Sequence, residues 1–252
     1  MIPYGKQDIS EHDIASVVEV LQSDFLTQGP QVPLFESAIK KATTAEYAFA
    51  VNSATSALHI ACLALDVGPG DIVWTSPITF VASANCALYC GASIDFVDID
   101  PATYNLCPQK LAEKLAHAKH HNTLPKVIIP VHLAGQSCAM EPIHALAQEY
   151  GIKIIEDASH CIGAQYQDKP VGACTYSDIT VFSFHPVKIV TTAEGGAAVT
   201  HCSKLAQRLA LFRSHGITRD KNMMDEDSVP DSHGQTPFPP WYYQQLALGY
   251  NY

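Results

Sequence analysis

The rhythm of the chain constrains its fold more than any single residue does. Short apolar runs alternate with longer segments of helical periodicity. "YAFAV" precedes "SATSALHIACLAL", "IVWTS" precedes "TFVASANCALYCG", and "SIDFVDI" precedes "CPQKLAEKLAHAKH". "KVIIPVHL" precedes "MEPIHALAQEYG", and "IKIIEDA" follows it. "DITVFSF" and "GGAAVTH" read as later strands, and "SKLAQRLALFRSHG" reads as a helix. Continuous apolar strands separated by helices of this length predict βαβ units around a mainly parallel sheet covered on both faces. Such sheets hold their ligands beyond the carboxyl ends of the strands.

The ends of the chain break this rhythm. The opening predicts a helix capped by Ser10, with Asp13 three residues on and Ile14, Val17, Val18 and Leu21 along one face. The turn-rich "TQGPQVP" leads to a second short helix from about Leu34 to Ala42. After Gly216 the stretch from Ile217 to Pro240 is polar, contains prolines and lacks periodicity, which predicts a surface loop. We therefore divide the chain into a large domain over 1–216, with an N-terminal helical segment, and a distinct region over 217–252.

Composition narrows the partners. With 252 residues, 47% of them hydrophobic, the chain can bury a sizeable core. A formal net charge of −10 disfavours nucleic acid or an anionic membrane as the main partner. No signal-peptide pattern or membrane-spanning apolar run is visible. The eight cysteines include no C-x-x-C pair, and free buried thiols are expected. Cys86 and Cys90 would share a helix face, but a metal site needs further ligands nearby. The reducing cytoplasm is the expected compartment.

Four strand ends carry residues with chemistry to offer. In "NSATSALHI", small and hydroxyl residues start a helix whose free N–H groups, near Thr55 and Ser56, suit a phosphate; they also suit an ordinary N-cap. In "IIEDASH", Asp157 directly follows an apolar strand, where it can face a cationic group or cap a helix. His160 can meet a ligand oxygen or be a satisfied, partly buried histidine. In "SFHPVKIVTTAEGG", Lys188 sits among apolar and hydroxyl neighbours, with Ser183 five residues before it. A poorly solvated lysine loses its proton more readily and can attack an aldehyde, whereas a snorkelling lysine does neither. Gly195 and Gly196 permit close approach. In "SPITFVAS", Phe80 can stack on a flat ligand or belong to the core. A phosphate cradle, a carboxylate for a pyridinium nitrogen, a stacking ring and a lysine for a Schiff base together make the set that pyridoxal 5'-phosphate (PLP) requires.

The run of "NSATSALHIA", "SPITFVASANCALYCGA", "IDFVDID", "PVHLAGQ", "IIEDASHCIGA", "SDITVFSFHPVKIVTTAEGG", "LFRSHGITR" and "GYNY" resembles the sugar-nucleotide aminotransferases of the DegT/DnrJ/EryC family. The resemblance implies an aspartate-aminotransferase-like α/β fold whose large domain binds PLP. It implies that Lys188 holds the cofactor and shuttles a proton, and that Asp157 faces the pyridine nitrogen. Ala54, Thr55 and Ser183 would hold the phosphate, Phe80 would cover the ring, and His160 would approach the phenolic oxygen. Asn251 matches the asparagine of the family's "NYR" motif, which reaches the phosphate in the other subunit of a homodimer.

The features "MIPYGKQDIS", "LTQGP", "HPVKI" and "PWYYQQLALGYNY" resemble a subgroup of pseudaminic acid biosynthesis. That implies amino transfer from glutamate to C4 of a UDP-4-keto-6-deoxy-N-acetylhexosamine. Two alternatives are an aminotransferase for another nucleotide sugar and a PLP-binding fragment without turnover. A PLP-dependent sugar dehydratase would carry histidine at position 188. The chain ends at Tyr252, one residue short of that motif's arginine, so the smaller C-terminal domain of the family is expected to be missing.

Overall fold

The computed structural model describes residues 5–224 and 241–252. Its centre is a seven-stranded sheet made from β1 (Tyr47–Val51), β2 (Ile72–Thr75), β3 (Ser93–Phe96), β4 (Val127–Ile129), β5 (Lys153–Asp157), β8 (Ile179–Ser183) and β9 (Gly196–Thr200). The spatial order is β1-β9-β8-β5-β4-β2-β3. Only β9 runs against its neighbours, pairing antiparallel with both β1 and β8. The expected mainly parallel sheet is present.

Alternate side chains of each strand enter cores on opposite faces, as a period of two requires. Ile129, Ile155, Val181 and Ala198 pack on one face with α3 (Ala54–Ala64), α4 (Ala82–Tyr89) and α7 (Ser203–Arg213). Ile128 and Ile154 pack on the other with α5 (Pro108–His121) and α6 (Met140–Tyr150). Phe182, Ala197 and Val199 continue that face toward Ile39 of α2 (Gln31–Thr43). Among the described residues no helix is long and apolar enough to cross a membrane.

Several boundaries differ from those read in the sequence. Helix α2 begins at Gln31, so Pro33 lies in its first turn, where a missing N–H costs nothing. Strand β4 stops at Ile129 because Pro130 follows, although Val131 still bridges Asp157. Helix α4 starts at Ala82, which leaves Thr79 and Phe80 in the turn before it. A small hairpin, β6 (Gln165–Tyr166) with β7 (Lys169–Pro170), was not expected. Its turn holds Gln167 and Asp168 at φ 49° and 61°, a left-handed pair without the glycine that usually signals it.

At the chain's start the helix α1 (Glu11–Gln22) has the expected capping box between Ser10 and Asp13. Its apolar stripe is exposed: Val17 is 61% and Leu21 65% accessible, and no residue of α1 is buried. At the other end, the first residues past Gly216 are ordered rather than loop. Strand β10 (Ile217–Thr218) pairs antiparallel with β11 (Gln244–Gln245), and a 3-10 turn spans Lys221–Met223. Residues 225–240, most of the expected loop, lie outside the described residues. The final residues pack back on α7 and α3: Tyr250 and Tyr252 donate their N–H groups to Phe212 and Arg213, and the Tyr252 hydroxyl meets His59 Nδ1 at 3.0 Å.

The start of α3 lies directly on β9. A Cβ added to Gly196 would stand 2.4 Å from the Ala54 nitrogen and the Ser53 carbonyl carbon, backbone atoms that cannot yield. Gly196→Ala should therefore lower the urea unfolding free energy by about 1–3 kcal/mol. Gly68→Ala, with nothing within 4 Å of the added carbon, should lower it far less in the same measurement.

Candidate active site

The carboxyl ends of β1, β2, β4, β5 and β8 converge on a cavity of about 310 Å³. Ala54, Thr55, Phe80, Asp157, His160, Ser183 and Lys188 all line it. These residues span 134 positions of sequence, and only the sheet order brings them together. Asn251 is not part of the lining; its backbone bridges Ser214 at the chain's end.

Each wall has a local cause. Ser53 caps α3 by accepting the Ser56 N–H at 3.1 Å. Ala54 and Thr55 occupy the first two helical positions, whose N–H groups have no intrahelical acceptor. They face the cavity with the positive end of the helix behind them, an arrangement suited to an anion. Ser183 is buried at the end of β8, within the lining.

Asp157 is only 4% exposed, so its carboxylate depends on donors. Ser83 Oγ donates to Oδ2 at 2.6 Å, and Thr79 Oγ1 stands 2.7 Å from Ser83 Oγ. Because the Ser83 proton goes to Asp157, Thr79 donates to Ser83. On the other oxygen, Ser159 gives its hydroxyl at 2.6 Å and its N–H at 3.2 Å. Sequence reasoning missed these three residues. Ser159 was readable as a turn partner two positions beyond an aspartate. Ser83 lies 74 positions from Asp157, and nothing local signals it.

Behind this wall is a second acid. Glu156 points to the opposite face of β5 and is also buried. Burial raises its pKa, but the donors His132, Ser177 and Thr180 outweigh burial and hold it below the usual carboxylate range. His132 Nε2 lies 2.8 Å from Glu156, and its Nδ1 accepts the Cys138 N–H at 3.2 Å. The ring proton is therefore on Nε2.

Lys188 lies in the loop that joins β8 to β9, where its N–H closes a turn on His185 at 2.9 Å. The sequence suggested that its apolar neighbours desolvate it. They do not: Val187 is 55% and Ile189 67% exposed, while Lys188 is half-buried. The cavity itself withdraws the amine from water. Burial lowers the Lys188 pKa, and the Asp157 carboxylate partly opposes that. His160 is shifted down too, by burial first and then by Lys188, with Asp157 opposing. Among the described residues Lys188 makes no ion pair, and no cluster of three or more metal-binding side chains exists. All eight cysteines are free; Cys62, Cys86, Cys138 and Cys161 are buried as expected, whereas Cys90, Cys107 and Cys174 are partly buried and Cys202 is exposed.

Residues 7–252 match the DegT/DnrJ/EryC1/StrS aminotransferase family. The chain belongs to this family. It is 39% identical to a Campylobacter jejuni protein named UDP-4-amino-4,6-dideoxy-N-acetyl-beta-L-altrosamine transaminase, covering all of this chain and 60% of the relative. It is 37% identical to the Bacillus subtilis spore coat polysaccharide biosynthesis protein SpsC, covering 99% of this chain and 59% of that one. Among solved structures it resembles Helicobacter pylori PseC, described as an aminotransferase of pseudoaminic acid biosynthesis, with a TM-score of 0.85 and 32% identity. That likeness covers 99% of this chain and 61% of PseC. The PLP-form of a sugar aminotransferase from Streptococcus pneumoniae, Spr1654, matches with a TM-score of 0.81 and 28% identity, covering 99% of this chain and 62% of that one. This aminotransferase-family chain thus spans about 60% of the length of its curated relatives.

The depressed Lys188 pKa has a consequence for stability. The folded state binds that proton less tightly than the unfolded chain does, so folding is penalised at neutral pH. The penalty fades as pH rises through the folded value toward the ordinary lysine pKa of about 10.4. Lys188→Met should therefore stabilise the cofactor-free protein at pH 7, by no more than about 1 kcal/mol because the site is half open to solvent screening. The gain should shrink as pH is raised, in urea melts compared from pH 7 to pH 10.

Proposed function

We propose that this chain is the cofactor-binding portion of a PLP-dependent transaminase that moves an amino group from glutamate to C4 of a UDP-4-keto-6-deoxy-N-acetylhexosamine, in pseudaminic acid biosynthesis. The observation that carries this reading is Lys188 and Asp157 lining one cavity, the amine eased toward its neutral form and the carboxylate fixed by hydroxyls. The names of the Campylobacter and Helicobacter relatives support the choice of sugar.

The residues fit the cofactor. Two unclaimed helix-start amides suit its phosphate, a buried anion suits its ring nitrogen, and the cavity volume lies in the range for small ligands. Bound there, PLP would supply the aldehyde and electron sink that amino transfer needs. Ala54, Thr55 and Ser183 would bind the phosphate. Asp157 would hold a proton on the ring nitrogen, and its serine donors would keep the carboxylate from turning away. Phe80, 72% exposed at the cavity mouth, would cover one ring face and exclude water from it. Lys188 would attach the cofactor and, as a neutral amine, take and return a proton at the donor's α-carbon. His160 would meet the phenolic oxygen.

We further propose a cytoplasmic homodimer in which Asn251 reaches the cofactor phosphate of the second subunit. The exposed apolar side chains Phe80, Val81, Val187 and Ile189 around one site support a covering partner. Residues 217–240 are proposed to shape sugar specificity.

Absorbance tests the reading directly. Purified protein mixed with PLP should develop a visible band that Lys188→Ala lacks, and glutamate should bleach it. With the UDP-4-keto sugar added, Lys188→Ala should lose at least about 10²–10⁴-fold of the turnover, the usual share of a positioned acid–base group. A band that glutamate leaves unchanged would instead favour a binding fragment without turnover.

A further inference from the structure

The polar side chain of Asn105 is 3% exposed and spends both of its ends on one short turn. Its Oδ1 accepts the Leu133 N–H at 3.0 Å, and its Nδ2 donates to the Gln136 carbonyl at 2.9 Å. Between these clamps lies the 3-10 turn Leu133–Gly135. Ala134 sits there at φ 53°, a left-handed conformation that costs a residue with a Cβ about 1 kcal/mol or more. Such strain persists only where neighbours over-determine it. Asn105 holds both ends of the turn, and the His132 N–H bonds the Asp157 carbonyl at 3.1 Å.

The strained residue has a use. Its N–H donates to His160 Nδ1 at 3.1 Å. A ring nitrogen that accepts a hydrogen bond carries no proton, so the neutral imidazole bears its proton on Nε2. His160 lines the cavity, with Lys188 and Asp157 as its charged neighbours.

We propose that Asn105 is a positioning residue that acts through the 133–136 turn to hold His160 as the Nε2–H tautomer, giving the cavity a fixed N–H donor for an anionic ligand oxygen. The assignment of that oxygen to the cofactor rests on the proposed function; the tautomer does not.

Two-bond ¹H–¹⁵N spectra of ¹⁵N-histidine-labelled, cofactor-free protein test this, with His160→Gln identifying the signals. The wild type should show His160 at neutral pH as the Nε2–H form alone. Asn105→Ala should turn this into a mixture of both tautomers while the thermal melt stays cooperative. An Nδ1–H or already mixed signal in the wild type would overturn the proposal, as would an unchanged signal in Asn105→Ala. Should Asn105→Ala fail to fold, the near-isosteric Asn105→Leu replaces it, because it fills the same space while offering neither an acceptor to the Leu133 N–H nor a donor to the Gln136 carbonyl. An unaltered tautomer there overturns the proposal equally. No cofactor enters this measurement, so a failure of PLP binding and a failure of the positioning role are read separately.

Discussion

A carboxylate buried at the end of a central strand governs the rest of this molecule. Asp157 is shut off from water, and an unpaired charge there would cost several kcal/mol. Its donors come from two places: the turn that immediately follows β5, and α4, which must cross back over the sheet to deliver Ser83. The next residue back, Glu156, faces the other way and is satisfied just as fully, by His132, Ser177 and Thr180. Two adjacent acids on opposite faces of one strand thus pin structure on both sides of the sheet. One network leaves its carboxylate at the wall of the large cavity; the other lies on the opposite face of the sheet.

The aspartate in that cavity restrains the lysine. Burial pushes the Lys188 amine toward neutrality while the Asp157 charge pulls it back. The balance leaves an amine that sheds its proton more readily than a surface lysine does, yet within reach of an opposing charge. The loop that carries it turns its own apolar residues outward. Together with the bare stripe of α1, these exposed residues form surfaces that nothing within the described residues covers, in a chain that spans about 60% of its curated relatives.

Much of this was legible in the sequence because period and length are local properties. The seven sheet strands and the helices between them follow from apolar runs and 3.6-residue stripes, and the Ser10 capping box from four adjacent residues. The seven candidate residues that share the cavity were readable because each sits at a strand's carboxyl end or within a few residues after it. What stayed hidden was non-local. Ser83 and Asn105 look like any serine in a helix and any asparagine in a loop. Their partners lie 74 residues away for Ser83 and 28 and 31 away for Asn105. Pro33 misled in the opposite way, since a helix breaker becomes neutral in a first turn.

The sequence by itself determined the strand–helix alternation, and with it a parallel-dominated sheet and a ligand site at its carboxyl edge. It also determined which side chains stand at that edge, because each ends its strand or follows it by a few residues. Only the tertiary structure decided which of them meet, which hydroxyls hold Asp157, and that Lys188 turns inward while its neighbours turn out. The physical reason is one of distance. Backbone periodicity is set by neighbours a few residues apart, whereas desolvation and hydrogen bonding at the site depend on segments that only the assembled sheet brings into contact.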